Sequence, residues 1–580
     1  MNSKIKKWLP IMAWLPNYER TNIKGDLSAG LTVGVMLIPQ GMAYSMLAGL
    51  PPIYGLYASI IPLLVYAIFG TSRQLAVGPV AMVALLVAAG VGELAEGGSG
   101  EFISLAIVLA LMVGVIQLAM GLFRLGFLVN FLSHPVIAGF TSAAALIIGF
   151  SQLKHLMGID IPRSNHVHEI ILNAAENIGL TNIPTLMIGL GGILLLLAVK
   201  RFKIPVPGPL LLVALSVLVV WAFGLDAQGV KIVGTVPEGL PAFGVPKFSM
   251  NNFQALLPIA LTISFVSYME SIAVAKAIQS KHKNYEVVPN QELVGLGLAN
   301  IAGSFFQAFP TTGGFSRTAV NDQAGAKTGL AAIVSAALIA LTLLFLTPLF
   351  YFLPKAVLAS VIMVAVFGLI NFKEAKFLWT ADRSDFWMMM ATFAGTLFLG
   401  IEEGIAIGAI LSLIIVIYQT SKPDVIKLAK VPGASYYKNT SRFRQLEERD
   451  DLLILRLDAR LYYANVDHFL QTIKAKIDEH EGPVKALILD ADSINGIDSS
   501  GIHAIKDLIS ECKSRNIPLL MTSVKGVVRD AFERTGLHDQ LGREHFFMRV
   551  QNAVDFVDHG KDEPLQDYTL QHNEEMIDQD

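Results

Sequence analysis

Two residues carry charge where the chain is otherwise almost purely apolar, Arg317 and Glu270. Arg317 stands in Phe309-Pro310-Thr311-Thr312-Gly313-Gly314-Phe315-Ser316-Arg317-Thr318-Ala319-Val320-Asn321, and Glu270 in Ser267-Tyr268-Met269-Glu270-Ser271. A charge deep in a membrane is costly and marks a functional group by default. Arginine presents a planar fork of donors, which suits an oxyanion offering two oxygens. The plainer reading pairs it with a local carboxylate as structural glue. Glu270 either neutralises Arg317, caps a broken helix, or titrates as a proton- or cation-sensitive coupling group. Gln40, after Ile38-Pro39, can donate its amide NH₂ to an oxyanion or bond a neighbouring helix. Tyr44 lies four residues on, on the same helix face, where it lines the same cavity or packs. Thr312 and Ser316 add hydroxyls beside Arg317.

What could aim these groups is a broken helix. Both Gln74-Leu75-Ala76-Val77-Gly78-Pro79-Val80-Ala81 and the Arg317 segment place Gly and Pro just before a helix-competent run. Proline lacks an N–H and suits a first helical turn. Each segment is expected to be extended and then to start a half-helix inside the membrane, over 78–91 and 312–325. A half-helix N-terminus exposes unpaired N–H groups and a partial positive charge. Two such ends facing each other make an anion site without any cation.

The remaining chain is built to hold such elements in lipid. Its 580 residues are 53% hydrophobic and 16% charged, with a mean hydropathy of +0.54. Soluble domains carry about 25% charged residues, so a disordered, fibrous or nucleic-acid-binding chain is excluded. Many stretches of about 16–22 residues are nearly free of charge, long enough to cross roughly 30 Å of hydrocarbon. With the short Gly-rich pieces they make about fourteen elements. The broken segments are third and tenth, the same place in two seven-element halves. Paired interruptions of this kind point to an inverted-repeat transporter with its site at the midplane. Alternate loops carry Arg73, Arg124, Lys200 with Arg201, Lys276 with Lys281, Lys327, Lys373 and Lys422. Under the positive-inside rule both termini are cytoplasmic. The N-terminus does not read as a signal peptide, because Pro10 and Pro16 interrupt a short apolar run.

Several longer motifs resemble the sulfate permease (SulP) family of anion transporters. They are Pro52-Ile53-Tyr54-Gly55-Leu56-Tyr57-Ala58-Ser59, Gly70-Thr71-Ser72-Arg73, Val77-Gly78-Pro79-Val80, Asn290-Gln291-Glu292-Leu293, Ala299-Asn300-Ile301-Ala302-Gly303-Ser304 and Gly314–Asn321. The resemblance implies an α-helical polytopic fold of seven plus seven transmembrane elements, with core and gate domains moving in an elevator-type cycle. It places the anion against Gln40, Tyr44, Val80, Ser316 and Arg317. With their neighbours Gly78, Ala81, Thr312 and Phe315 these form the expected substrate-binding set, and Glu270 matches the family's acidic position. The implied protein is a secondary active transporter and a homodimer. Sulfate is the favoured substrate, with proton symport if Glu270 takes up a proton. The alternatives are a bicarbonate, chloride or dicarboxylate transporter of the same family. No cofactor or metal is implied.

The last part is a different material. By count, residues 441–580 hold about 27 acidic and 17 basic side chains, so water is their solvent. The expected order is an N-terminal cytoplasmic segment 1–22, a transport domain 23–420, a linker 421–441, a domain 442–560 and an acidic, disordered tail 561–580. Runs at Leu452–Leu457, Val484–Asp490 and Ile517–Ser523 read as strands. Val466–His480, Ile502–Lys513 and Gly526–Arg534 read as helices, giving a small α/β layer. Gly496-Ile497-Asp498-Ser499-Ser500-Gly501 resembles the signature of a STAS domain, in whose anti-anti-sigma relatives the serine at Ser499 is phosphorylated. The simpler reading makes Asp498 or Ser499 an N-cap. Such a domain implies folding support, dimer contacts, or regulation by a nucleotide or protein ligand.

An enzyme would need a nucleophile–base pair or a metal cluster. His134 and His155 stand alone, and the single cysteine, Cys512, excludes a disulfide within the chain. A channel and a membrane sensor are the other rivals. The expected location is a bacterial inner membrane.

Overall fold

The computed structural model describes residues 8–560, apart from 17, 128–132, 161–166, 203–206, 248, 283–284 and 369. The expected tail, 561–580, lies outside the described residues. The chain divides into two compact units, Met1–Ser412 and Leu413–Asp580.

The first unit is a stack of apolar helices. Among the described residues seven helices are long and apolar enough to cross a membrane, the last of them, Glu403–Ser421, running past the end of this unit, and four more are shorter apolar helices. The first span is Ile23–Ala48, with Pro39 inside it. The apolar stretch after it is two helices, Ile53–Tyr57 and Ile61–Phe69. A proline at position two of the second suits its start. Helices Gly100–Leu122 and Pro289–Ser304 pack closely. A Cβ built on Gly114 would sit 2.8 Å from the Gly297 carbonyl oxygen, and one on Gly297 2.8 Å from that of Gly114. Small residues allow this backbone approach in lipid, where dispersion between helices substitutes for hydrophobic burial.

Two buried carboxylates fasten loops to helices. Glu292 accepts from Tyr66 Oη (2.6 Å), Thr71 Oγ1 (2.5 Å), Thr71 N (2.7 Å) and Ser72 N (3.2 Å). Asp26 accepts from Tyr18 Oη, Lys327 N, Thr328 N and Thr328 Oγ1 at 2.6–3.0 Å. Each carboxylate therefore fixes the loop that flanks one broken segment, Thr71–Ser72 before the first and Lys327–Thr328 after the second.

The second unit is a six-stranded sheet ordered β4-β3-β5-β6-β7-β8, counting from the two short strands β1 (Val77–Gly78) and β2 (Thr312–Gly313) of the first unit. Its strands are β3 (Val425–Lys430), β4 (Tyr437–Asn439), β5 (Leu452–Leu457), β6 (Ala486–Asp490), β7 (Leu519–Thr522) and β8 (Phe546–Phe547). Strands β5 to β8 are parallel, so their connections must cross over, and helices do so. Helices Val466–Asp478, Ser499–Ser514 and Gly526–Arg534 pack on one face. Val550–His559 covers the other, against Leu428, Ile454, Ile488 and Leu520. The continuous run Ala486–Asp490 is fully buried, as a strand covered on both faces must be.

The expected linker 421–441 is a correction. It holds β3 and β4, and β3 pairs with β5 from Val425↔Leu457 to Lys427↔Leu455. Pro423 and Pro432-Gly433 bracket a strand rather than marking flexible chain, because proline is tolerated at strand ends.

Candidate anion site

The site is built where the two broken segments cross. β1 and β2 pair antiparallel, Val77 with Gly313 and Gly78 with Thr312. Antiparallel pairing is what two oppositely oriented halves require. Beyond the strands the chain turns helical, at Ala81–Gly92 on one side and Phe315–Gln323 on the other. Both half-helices start later than the sequence suggests, because Pro79 and the strand pairing hold the entry extended. Their N-caps are Val80 and Gly314, and neither start receives a side-chain cap. The intrahelical ladder begins with Ala84 N donating to Val80 O and Thr318 N to Gly314 O. The amides of Ala81, Met82 and Val83, and of Phe315, Ser316 and Arg317, therefore precede the ladder and have no helical acceptor. Helices normally begin at Ser, Thr, Asp or Asn. Two uncapped starts leave donors for something else.

Arg317 is 2% exposed. Its Nη1 donates to Pro79 O at 2.6 Å, which locks the guanidinium of one half-helix onto the backbone just ahead of the other. Nε and Nη2 are buried and have no partner. These two N–H groups lie on one edge of the guanidinium and point the same way, so they can grip two oxygens of one oxyanion. Gly314 leaves room for that edge: a Cβ there would be 2.9 Å from Nη2. Gly78 stands across the site, its Cβ position 3.6 Å from the same nitrogen.

Glu270, Tyr44 and Arg317 lie within electrostatic range of one another. Glu270 Oε2 and Gln40 Oε1 are buried without a hydrogen-bond partner. The structure therefore brings Tyr44, Gly78, Val80, Ala81, Glu270 and Arg317 to one locality, and Gln40 stands one helical turn before Tyr44 on the first span. Arg317 reaches a backbone carbonyl rather than a carboxylate, so structural ion pairing does not explain it.

Three expected site residues, Thr312, Phe315 and Ser316, are placed differently. The Thr312 hydroxyl donates to Ser267 O at 2.6 Å and meets Ser271 Oγ at 2.7 Å. It holds the strand, and its proton is spent. Phe315 is 62% exposed, and Ser316 beside it is exposed too. Residues two apart on a helix face nearly opposite ways, so Phe315 turns from the side on which Arg317 is buried.

Sequence reasoning missed what fastens the crossing. Ala76 N donates to Thr318 Oγ1 (3.0 Å), Asn321 Nδ2 to Gln74 O (2.8 Å) and Gly314 N to Ala76 O (3.0 Å). Asn300 Oδ1 accepts from Thr311 N at 2.8 Å, and its Nδ2 donates to Gln117 Oε1 at 3.1 Å. Gln117 Nε2 donates to Ser267 Oγ at 2.8 Å. The available signal was the row Ser264, Ser267 and Ser271, spaced three and four apart on one helical face of Met250–His282.

In the second unit Asp498 Oδ1 accepts from Gly501 N (2.8 Å) and Oδ2 from Tyr463 N (3.0 Å). Asp498 is the N-cap, and Ser499 is the exposed first residue of its helix. Beside Arg449 and Lys485, the Asp451 carboxyl is held well below the usual carboxylate range. Burial pushes the Cys512 thiol up to about 11, which makes it inert rather than reactive.

Comparison with known proteins agrees with this architecture. Residues 444–553 match the STAS domain. The probable sulfate transporter 4.2 of Arabidopsis thaliana is 41% identical over 574 residues, covering 96% of this chain and 84% of that protein. The high affinity sulfate transporter 2 of Stylosanthes hamata is 34% identical, covering 94% of this chain and 85% of the other. Among solved structures, the murine Solute Carrier 26 family member A9 anion transporter, in its inward-facing state, superposes with a TM-score of 0.89 at 28% identity, covering 96% of this chain and 95% of that one. Residues 23–392 match the Sulfate permease family; with relatives this similar along nearly its whole length, the chain belongs to that family of multi-pass membrane transporters and ends in a STAS domain.

Proposed function

We propose that the protein is a secondary active sulfate transporter that takes up protons with its anion, the anion sitting between the two half-helix starts. The observation that carries this reading is the free edge of Arg317. Nη1 is spent on Pro79 O, and Nε and Nη2 are left parallel, buried and unpaired. Such an edge favours an ion with at least two oxygens over a spherical halide. The six backbone amides of the uncapped starts add neutral donors around it. The names of the plant relatives, sulfate transporters at 41% and 34% identity, support the same substrate.

Proton coupling rests on Glu270. Its buried, unpartnered Oε2 lies in the field of Arg317. Protonation removes its negative charge as the doubly charged anion arrives, so proton and anion favour each other. The two broken segments and Met250–His282 are linked by hydrogen bonds, which supports their moving as one body in an elevator-type cycle. The cationic loops support cytoplasmic termini, and the family resemblance a homodimer.

The test is uptake of labelled sulfate by proteoliposomes, with and without an inward proton gradient. The expected result is gradient-stimulated uptake, weak competition by chloride, and loss of uptake in Arg317→Ala. Correctly inserted protein that ignores sulfate and carries bicarbonate or chloride would overturn the substrate. Sulfate uptake indifferent to the gradient would overturn the coupling.

A further inference from the structure

The buried hydroxyls of Ser271 and Thr312 form a chain in which every proton can be assigned. Thr312 Oγ1 donates to Ser267 O. A hydroxyl has a single proton, so in the Ser271–Thr312 contact (2.7 Å) Ser271 must be the donor. Ser271 Oγ in turn accepts from Gly313 N at 2.8 Å. The chain runs from Gly313 N–H through Ser271 O–H and Thr312 O–H to the Ser267 carbonyl. Ser267, Ser271 and Thr312 are all 0% exposed. Water has no access to replace a missing member.

This chain ties one helix, Met250–His282, to the strand four residues ahead of Arg317. It does so from the residue next to Glu270. Among the described residues the first span makes no such tie to β1: it meets Gly78 with an apolar group, Leu37 Cδ2, which lies 3.4 Å from where a Cβ on Gly78 would be. From Gly313 the linkage continues through Gly314 N to Ala76 O, and through Arg317 Nη1 to Pro79 O. The hydroxyl chain is therefore the anchored end of the frame that aims the free edge of Arg317.

We propose that Ser271 and Thr312 are positioning residues for anion binding, setting the direction of the Arg317 Nε–Nη2 edge through the Gly313 amide. This rests on the reading of Arg317 as the anion-gripping group. Neither hydroxyl touches the anion. Each acts through the backbone of β2.

The test is sulfate uptake by full-length protein in proteoliposomes, comparing wild type with Ser271→Ala, Thr312→Val and Thr312→Ser. Thr312→Val keeps the shape and removes the hydroxyl, while Thr312→Ser keeps the hydroxyl and removes a methyl. The expected result is a KM for sulfate raised about tenfold in Ser271→Ala and Thr312→Val, the scale of one lost buried hydrogen bond. Vmax per inserted protein should stay within about twofold, and Thr312→Ser should restore the wild-type KM. Unchanged KM in both hydroxyl-free variants overturns the proposal. So does an equal fall of Vmax in all three, which would make the positions packing sites only. If Ser271→Ala is not recovered as folded protein, Thr312→Val against Thr312→Ser decides alone. Failure of wild type to carry sulfate would count against the substrate reading instead. The same variants are then compared by KM for the anion that is carried, with the same two outcomes.

Discussion

Segments 74–80 and 309–314 enter the first unit alike, each extended, each turning into an uncapped half-helix. Their anchoring differs. The second is gripped by side chains from outside the crossing, namely Ser267, Ser271 and Asn300. The first is held from within it. Gln74 O, Ala76 N, Ala76 O and Pro79 O are bonded by Asn321, Thr318, Gly314 and Arg317 respectively. Outside the crossing, the described ties of that segment are the Gln74 side chain to Ala326 O and to Tyr285. The near-symmetric pair therefore has a fixed member and a dependent one. Arg317 sits on the fixed member and holds the dependent one.

Breaking that link should have the largest effect. Arg317→Lys keeps the charge but replaces a fork with a point donor. It cannot serve Pro79 O and two anion oxygens together, so sulfate kcat/KM should fall at least about 100-fold, the loss of some 3 kcal/mol of charge-assisted bonding. Retention of most activity would remove the two-sided role of the side chain. Gly314→Ala should come next. Its Cβ would stand 2.9 Å from Nη2 and 3.0 Å from Cζ, so the guanidinium must shift. KM should rise about tenfold, 1.4 kcal/mol, and a normal KM would mean that the edge has slack. Thr318→Val tests the dependence of the first segment. It leaves the buried Ala76 N–H without an acceptor, at a cost of about 1–3 kcal/mol. Because that amide belongs to the first segment, KM should rise several-fold, and hydrogen exchange should quicken at residues 74–80 before 309–314. The smallest effect is expected from Leu37→Val. The first span meets Gly78 only by packing, so trimming one methylene should change KM less than about twofold. A larger change there than in Thr318→Val would reverse the assignment of fixed and dependent members.

Much of this arrangement was legible in the residues. Pro79 and Pro310 with the adjacent glycines fixed where the helices break, since proline and glycine act locally on the backbone. The depth and isolation of Arg317 singled it out as the group on which the proposed site is built, because a buried charge is expensive wherever it lies. In the second unit, continuous apolar runs located β5 to the residue and β6 and β7 to within two. What was hidden is long-range. Strands β1 and β2 are two residues each, too short for any alternating pattern. Thr312 looked like a ligand because a hydroxyl beside an arginine is compatible with either role, and its partner is 45 residues away at Ser267. The stretch 421–441 looked like a linker because the edge strand β4 is only three residues long and prolines stand on both sides of β3. Asp26 and Glu292 gave no sign of their loops, since a carboxylate near a helix start reads first as a favourable charge on that end.

The separation along the chain has a consequence for synthesis. Arg317 and Pro79 are 238 residues apart, and ribosomes add roughly 5–20 residues per second. The first segment is therefore in place for about 10–50 s before any of its crossing partners has been made. Through that interval the backbone of 74–80 lacks the acceptors and donors it will finally use, in surroundings where unpaired peptide groups are penalised. The crossing is thus completed only when the second half has been made as far as Asn321, and truncation before that residue leaves the first half with a gap that it cannot close itself.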